Sequence, residues 1–162
     1  MRSIFAALVA FSFIVIPTAA HADFIIEGSA GSGYQVAPSI DIARRQPTNL
    51  MLAGGWGLGE WIRIEVGLAA GLGDVEGREF EFDVRPMLVV DPPLFPIYAR
   101  AILGMSNVFN DGRAFAFGGA VGLGFSLGGI GIFAEAGMVP RVPEGEFVWI
   151  AEGRAGVYYL ID

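Results

Sequence analysis

The sequence contains no cysteine and no lysine, and its single histidine is His21. Without cysteine there is no disulfide framework, thiol nucleophile or zinc–thiolate site. His21 falls inside an N-terminal segment that reads as an export signal, so the mature chain is expected to carry no imidazole. That removes the usual general base, the usual partner of a catalytic serine and the commonest metal ligand. Every cation is an arginine, and a net charge of −7 argues against nucleic acid, whose phosphates need a basic face. Long apolar runs are scarce as well: beyond that first segment no stretch approaches the roughly 20 residues a membrane helix needs.

The N-terminal segment has the parts of a cleaved signal. Arg2 is followed by the apolar "IFAALVAFSFIVI" (4–16), a break at Pro17 and a small-x-small site at Ala20-His21-Ala22. Residues 1–22 are therefore expected to be a signal peptide and 23–162 a single domain. The hydrophobic content, 54% with a mean hydropathy of +0.56, is spread thinly and interrupted by 24 glycines that would be costly inside helices.

What takes the place of long runs is alternation. In "REFEFDVR" (78–85) charge and apolar residues alternate without exception, the mark of a β-strand with two unlike faces. The same rhythm, bounded by turn residues, predicts eight strands at about 23–35, 49–58, 61–73, 78–90, 95–106, 114–127, 130–141 and 147–161. Connections alternate between tight (Gly59-Glu60, "DPPL" at 91–94, Gly128-Gly129) and longer ("VAPSIDIARRQPTN" at 36–49, "NVFNDGR" at 107–113). Strands this long exceed the usual soluble strand of about 5 to 6 residues and suit a tilted bilayer crossing of roughly 9 to 11.

The two faces differ in a way that fixes which one meets lipid. One carries Leu50, Leu52, Trp56, Ile62, Ile64, Val66, Leu68, Phe80, Phe82, Val84, Phe115, Phe117, Val121 and their like, with no charge among them. The other carries glycine, alanine and the in-strand charges. Eight strands of Leu, Phe and Ile would overfill a narrow barrel interior. The bulky face is therefore expected outside and the charges inside, giving an all-β, eight-stranded antiparallel up-and-down transmembrane β-barrel. Charges inside must be paired, since an isolated one costs several kcal/mol or more. Glu27, Arg63, Glu65, Arg85, Arg100, Glu135, Glu152 and Arg154 are the expected lumen ion-pair network. Arginine suits it, because its planar fork binds carboxylates two at a time. Trp56, Trp61, Tyr98, Phe125 and Tyr159 lie where strands meet turns and are expected at the membrane interfaces. Pro86, in mid-strand, is expected to bring a bulge or kink over Arg85 to Met87.

In architecture and pattern the mature chain resembles small bacterial outer-membrane β-barrels of the outer membrane protein A/X type. Its last strand, "RAGVYYLI" (154–161), resembles the C-terminal signal of such proteins, with Gly156, Tyr159 and Ile161 in the matching places; Asp162 stands where a terminal phenylalanine is common. The resemblance implies export to the outer membrane of a Gram-negative bacterium, with outer-membrane lipid and the barrel-assembly machinery as partners. Enzymes of this group rely on histidine, so no catalytic activity, cofactor or metal is expected. Three roles remain. The first is a structural or interaction barrel whose external loops contact a surface partner, with Asp41, Arg44 and Arg45 in the first long loop as candidates. The second is a narrow pore or small-solute conduit. The third is a secreted lipocalin-like barrel, which would need an apolar cup.

Overall fold

The computed structural model describes residues 24–37, 44–59, 61–72, 80–92, 95–109, 113–127, 129–143 and 145–161. Residues 1–22, expected to be a signal peptide, and Asp41 lie outside these residues. Within them the chain is all β. The strands are β1 (Phe24–Ala37), β2 (Arg44–Arg45), β3 (Thr48–Gly57), β4 (Ile62–Leu72), β5 (Phe82–Val90), β6 (Ile97–Ser106), β7 (Ala114–Leu127), β8 (Ile130–Met138), β9 (Arg141–Pro143) and β10 (Trp149–Ile161).

Eight of these form the wall. Each pairs antiparallel with its neighbour in the order β1-β3-β4-β5-β6-β7-β8-β10, and β10 pairs back onto β1 from Phe24↔Ile161 to Ala37↔Trp149. The ring is closed, so no edge strand exposes unpaired backbone. β2 and β9 are short returns on the long-loop side. β2 folds onto β1 (Tyr34↔Arg45), which makes part of the expected 36–49 loop strand, and β9 pairs with β7. At the opposite end β3 and β4, and β7 and β8, are joined by tight turns; Gly59 and Gly129 take positive φ there, a conformation other residues rarely adopt.

Alternation sets the two surfaces. Ile64 is 45% exposed on the outer wall while its neighbour Glu65 is 1% exposed inside, and Arg100 is 2% exposed. Leu52, Leu68, Leu88, Val121 and Val157 all face outward. So large a contiguous apolar exterior suits hydrocarbon and not water, and among the described residues the interior holds ion pairs beside a small packed cluster of Met51, Met87, Ile102 and Val139, not an apolar cup of the lipocalin kind. Pro86 brings no bulge: the β5–β6 register is the same at Val84↔Met105 and Met87↔Ile102, with bridging interrupted between them. Pro86 still pairs with Val66 of β4, and its missing N–H is accommodated as a local gap on one side.

Candidate functional site: the charged lumen

Because alternate residues of every wall strand point inward, the lumen is lined by a predictable set of side chains. Ascending β5 from the short-turn end these are Val89, Met87, Arg85 and Asp83; on β6 they are Tyr98, Arg100, Ile102, Gly104 and Ser106. The charged members assemble into two networks.

The first, nearer the short turns, centres on Arg100. Its guanidinium donates to both oxygens of Glu27, at 2.7 and 3.1 Å, and lies 3.5 Å from Glu65 and 3.3 Å from Glu135. Arg154 closes onto Glu135 at 2.7 Å, and Arg63 bridges Glu65, at 3.1 Å, and Asp91. The rings of Tyr98 and Phe133 flank the Arg100 guanidinium at 5.6 and 5.7 Å, adding cation–π attraction. The second network, nearer the long loops, centres on Arg85. It grips Glu152 at 2.7 and 3.2 Å and Asp83 at 2.9 Å. Arg141 of β9 reaches in to Glu81, Asp83 and Glu152 at 3.3, 3.4 and 3.7 Å. Two methionines line the same space: the Met51 and Met87 sulfurs accept from Arg154 and Arg100, at 2.6 and 3.4 Å. Below the first network, Val89, Tyr98 and Phe133 pack together with Tyr158 across the short-turn end.

No protein-family model matches the sequence, and no curated protein matches it. Solved structures do match in shape. Neisserial surface protein A superposes with a TM-score of 0.57 at 13% identity, over 86% of this chain and 99% of that one. Ail, the attachment invasion locus protein of Yersinia pestis, gives 0.55 at 10%, over 86% and 97%. The N-terminal β-barrel domain of Pseudomonas aeruginosa OprF gives 0.50 at 12%, over 83% and 97%. In fold, the chain is a barrel of the outer membrane protein A/X type. At these identities the likeness is one of fold alone.

Within this A/X-type barrel, the eight charges singled out by sequence divide between the two networks. Glu27, Arg63, Glu65, Arg100, Glu135 and Arg154 belong to the first, Arg85 and Glu152 to the second. Trp56, Trp61, Phe125 and Tyr159 face outward near the short-turn end. Tyr98 does not. It is 5% exposed, points into the lumen and donates its hydroxyl proton to Glu135 at 2.8 Å. The physical reason is parity: Ile97 and Ala99 hold the outer face of β6, so the residue between them must face in. Gly156 faces inward beside Phe133, while Tyr159 and Ile161 face the outer wall. Sequence reasoning left Arg141, Asp83, Glu81 and Asp91 out of the network. Parity marked the first, since Arg141 continues the inward series Glu135, Gly137, Val139. Glycines make room for large inward side chains, aromatic as well as charged. Those at 122 and 131 clear the rings of Tyr98 and Tyr158, which a Cβ at either position would overlap, whereas Gly55 clears Glu65.

Proposed function

We propose that the protein is an integral outer-membrane barrel with a structural and interaction role: a closed, ion-paired lumen holds the wall rigid, and the long-loop end meets partners. The carrying observation is the Arg100 group, in which one guanidinium spans the lumen to three carboxylates. A wall tied to itself in this way resists both collapse and opening. The packed rings of Tyr98, Phe133 and Tyr158 add a second obstruction beneath it, which supports a plugged lumen over a conduit.

Outer-membrane residence is supported by the shape match to outer-membrane barrels and by the apolar exterior. The partner-facing surface on this reading includes the exposed Arg45 and the segment around it. Planar-bilayer conductance of the purified protein, beside an Arg100→Ala variant, tests the proposal. Silence from both is the expected result; steady unitary currents through the parent protein would replace the plug with a conduit. Extraction from membranes only by detergent, with heat-modifiable gel migration, checks membrane insertion separately.

A further inference from the structure

Both ends of the outer wall carry exposed rings. Near the short turns these are Trp56, Trp61 and Tyr159, which carry a polar atom for the headgroup layer, with Phe95 and Phe125. On the long-loop side Tyr34 and Trp149 are joined by four phenylalanines, Phe80, Phe109, Phe115 and Phe147. Phenylalanine has no polar tip, so its ring gains nothing from the aqueous side of an interface.

Two of these rings come from outside the long wall strands. Phe109 lies beyond the end of β6 and is 75% exposed, yet its ring stacks 5.1 Å from that of Phe82 on the outer face of β5. Phe147 precedes β10, is 54% exposed, and meets Phe117 on the outer face of β7 edge-on at 6.1 Å. Both connections thus fold their rings down onto the outer wall and not over the mouth.

Depth places these contacts within reach of hydrocarbon. With a rise of about 3.3 Å per residue and a tilt of about 40°, Phe82 stands roughly 20 Å above Val90, inside an apolar band about 25 Å tall. By the same arithmetic Phe117 stands roughly 25 Å above Leu127, at the band's upper edge. Rings stacked on these two residues continue the lipid-facing wall.

We propose that Phe109 and Phe147 are membrane anchors: the connections bearing them lie against the acyl chains of the leaflet on the long-loop side. The inference rests on the membrane reading above and narrows it, because it withdraws these two connections from the partner surface and leaves those after β1 and β4 to carry it.

The absence of cysteine allows a direct test. Single variants Phe109→Cys, Phe147→Cys, Leu68→Cys and Arg45→Cys are spin-labelled in phospholipid bilayers, and collision with oxygen, which concentrates in lipid, is compared with collision with a water-soluble nickel chelate. Labels at 109 and 147 are expected to give an oxygen-to-nickel ratio several-fold above that at 45 and approaching that at 68. A ratio at either site equal to that at 45, with 68 still in lipid, overturns the anchor proposal alone. Nickel access at 68 overturns membrane insertion itself, and the anchor proposal with it. Heat-modifiable migration of each labelled protein confirms that it is folded, and two independent sites keep the test decisive if one variant fails to fold.

Discussion

Arg100 and Glu27 stand on opposite sides of the barrel, four strands apart in a ring of eight, and meet through two hydrogen bonds of 2.7 and 3.1 Å. Removing the cation leaves Glu27, Glu65 and Glu135 short of their shared partner in a space closed to water. Arg100→Ala should therefore cost about 3–5 kcal/mol. Arg100→Lys should recover only part of this, since an ammonium is a point donor and cannot grip two oxygens as a fork does. Guanidinium chloride unfolding in detergent micelles measures both; an alanine variant as stable as the parent would refute the central role of this residue.

Arg141 fastens β9 to the wall through Glu81, Asp83 and Glu152. Hydrogen bonds to charged groups are each worth about 1.5–3 kcal/mol where well shielded. Since this site is nearer the mouth, Arg141→Ala is expected to cost less than Arg100→Ala and to act locally. Limited proteolysis should cut the variant between residues 139 and 148 faster than the parent, with the midpoint of global unfolding moving little. Unchanged cleavage would show that the strap is held by its backbone pairing alone.

A Cβ at Gly122 or Gly131 would occupy the space of the Tyr98 or Tyr158 ring. Overpacking of this kind costs about 1–3 kcal/mol. Gly131→Ala should lower the temperature at which the folded gel band converts to the unfolded one, and pairing it with Tyr158→Ala should restore part of the loss. Additive losses in the double variant would mean that the glycine and the ring do not compete for the same volume.

The orientation of the wall predicts a gradient with depth. Leu68 lies mid-wall on β4 and Ile62 beside a tight turn, and both face outward. Arginine at a lipid-facing position costs about 2–4 kcal/mol at the midplane and about 0–1 near the interface. Leu68→Arg should consequently be several-fold more disruptive to folding into bilayers than Ile62→Arg, read as folded fraction on gels. Equal effects would mean that no hydrocarbon surrounds this wall.

Much of the fold was legible in the chain because a β-strand's side-chain period is two. Phe82, Val84 and Leu88 on one face of β5, with Asp83 and Arg85 on the other, announced an amphipathic wall strand before any pairing was known. Tyr98 went astray because nearness to a turn was weighed above parity, which speaks for the lumen. At Pro86 the expected disturbance is present as a break in the β5–β6 bridging, without the bulge. A missing donor requires a gap in the ladder but no extra residue, and the register passes it unchanged.

The sequence by itself determined the number of wall strands, which face of each points outward, and that most of the in-strand charges turn inward, because all three follow from local alternation and from side-chain volume. It could not determine which arginine meets which carboxylate. Arg100 and Glu27 are separated by 73 residues, Arg85 and Glu152 by 67. They meet only because ring closure, strand tilt and stagger bring opposite strands to the same depth across the lumen, and those are properties of the closed barrel that no single strand encodes.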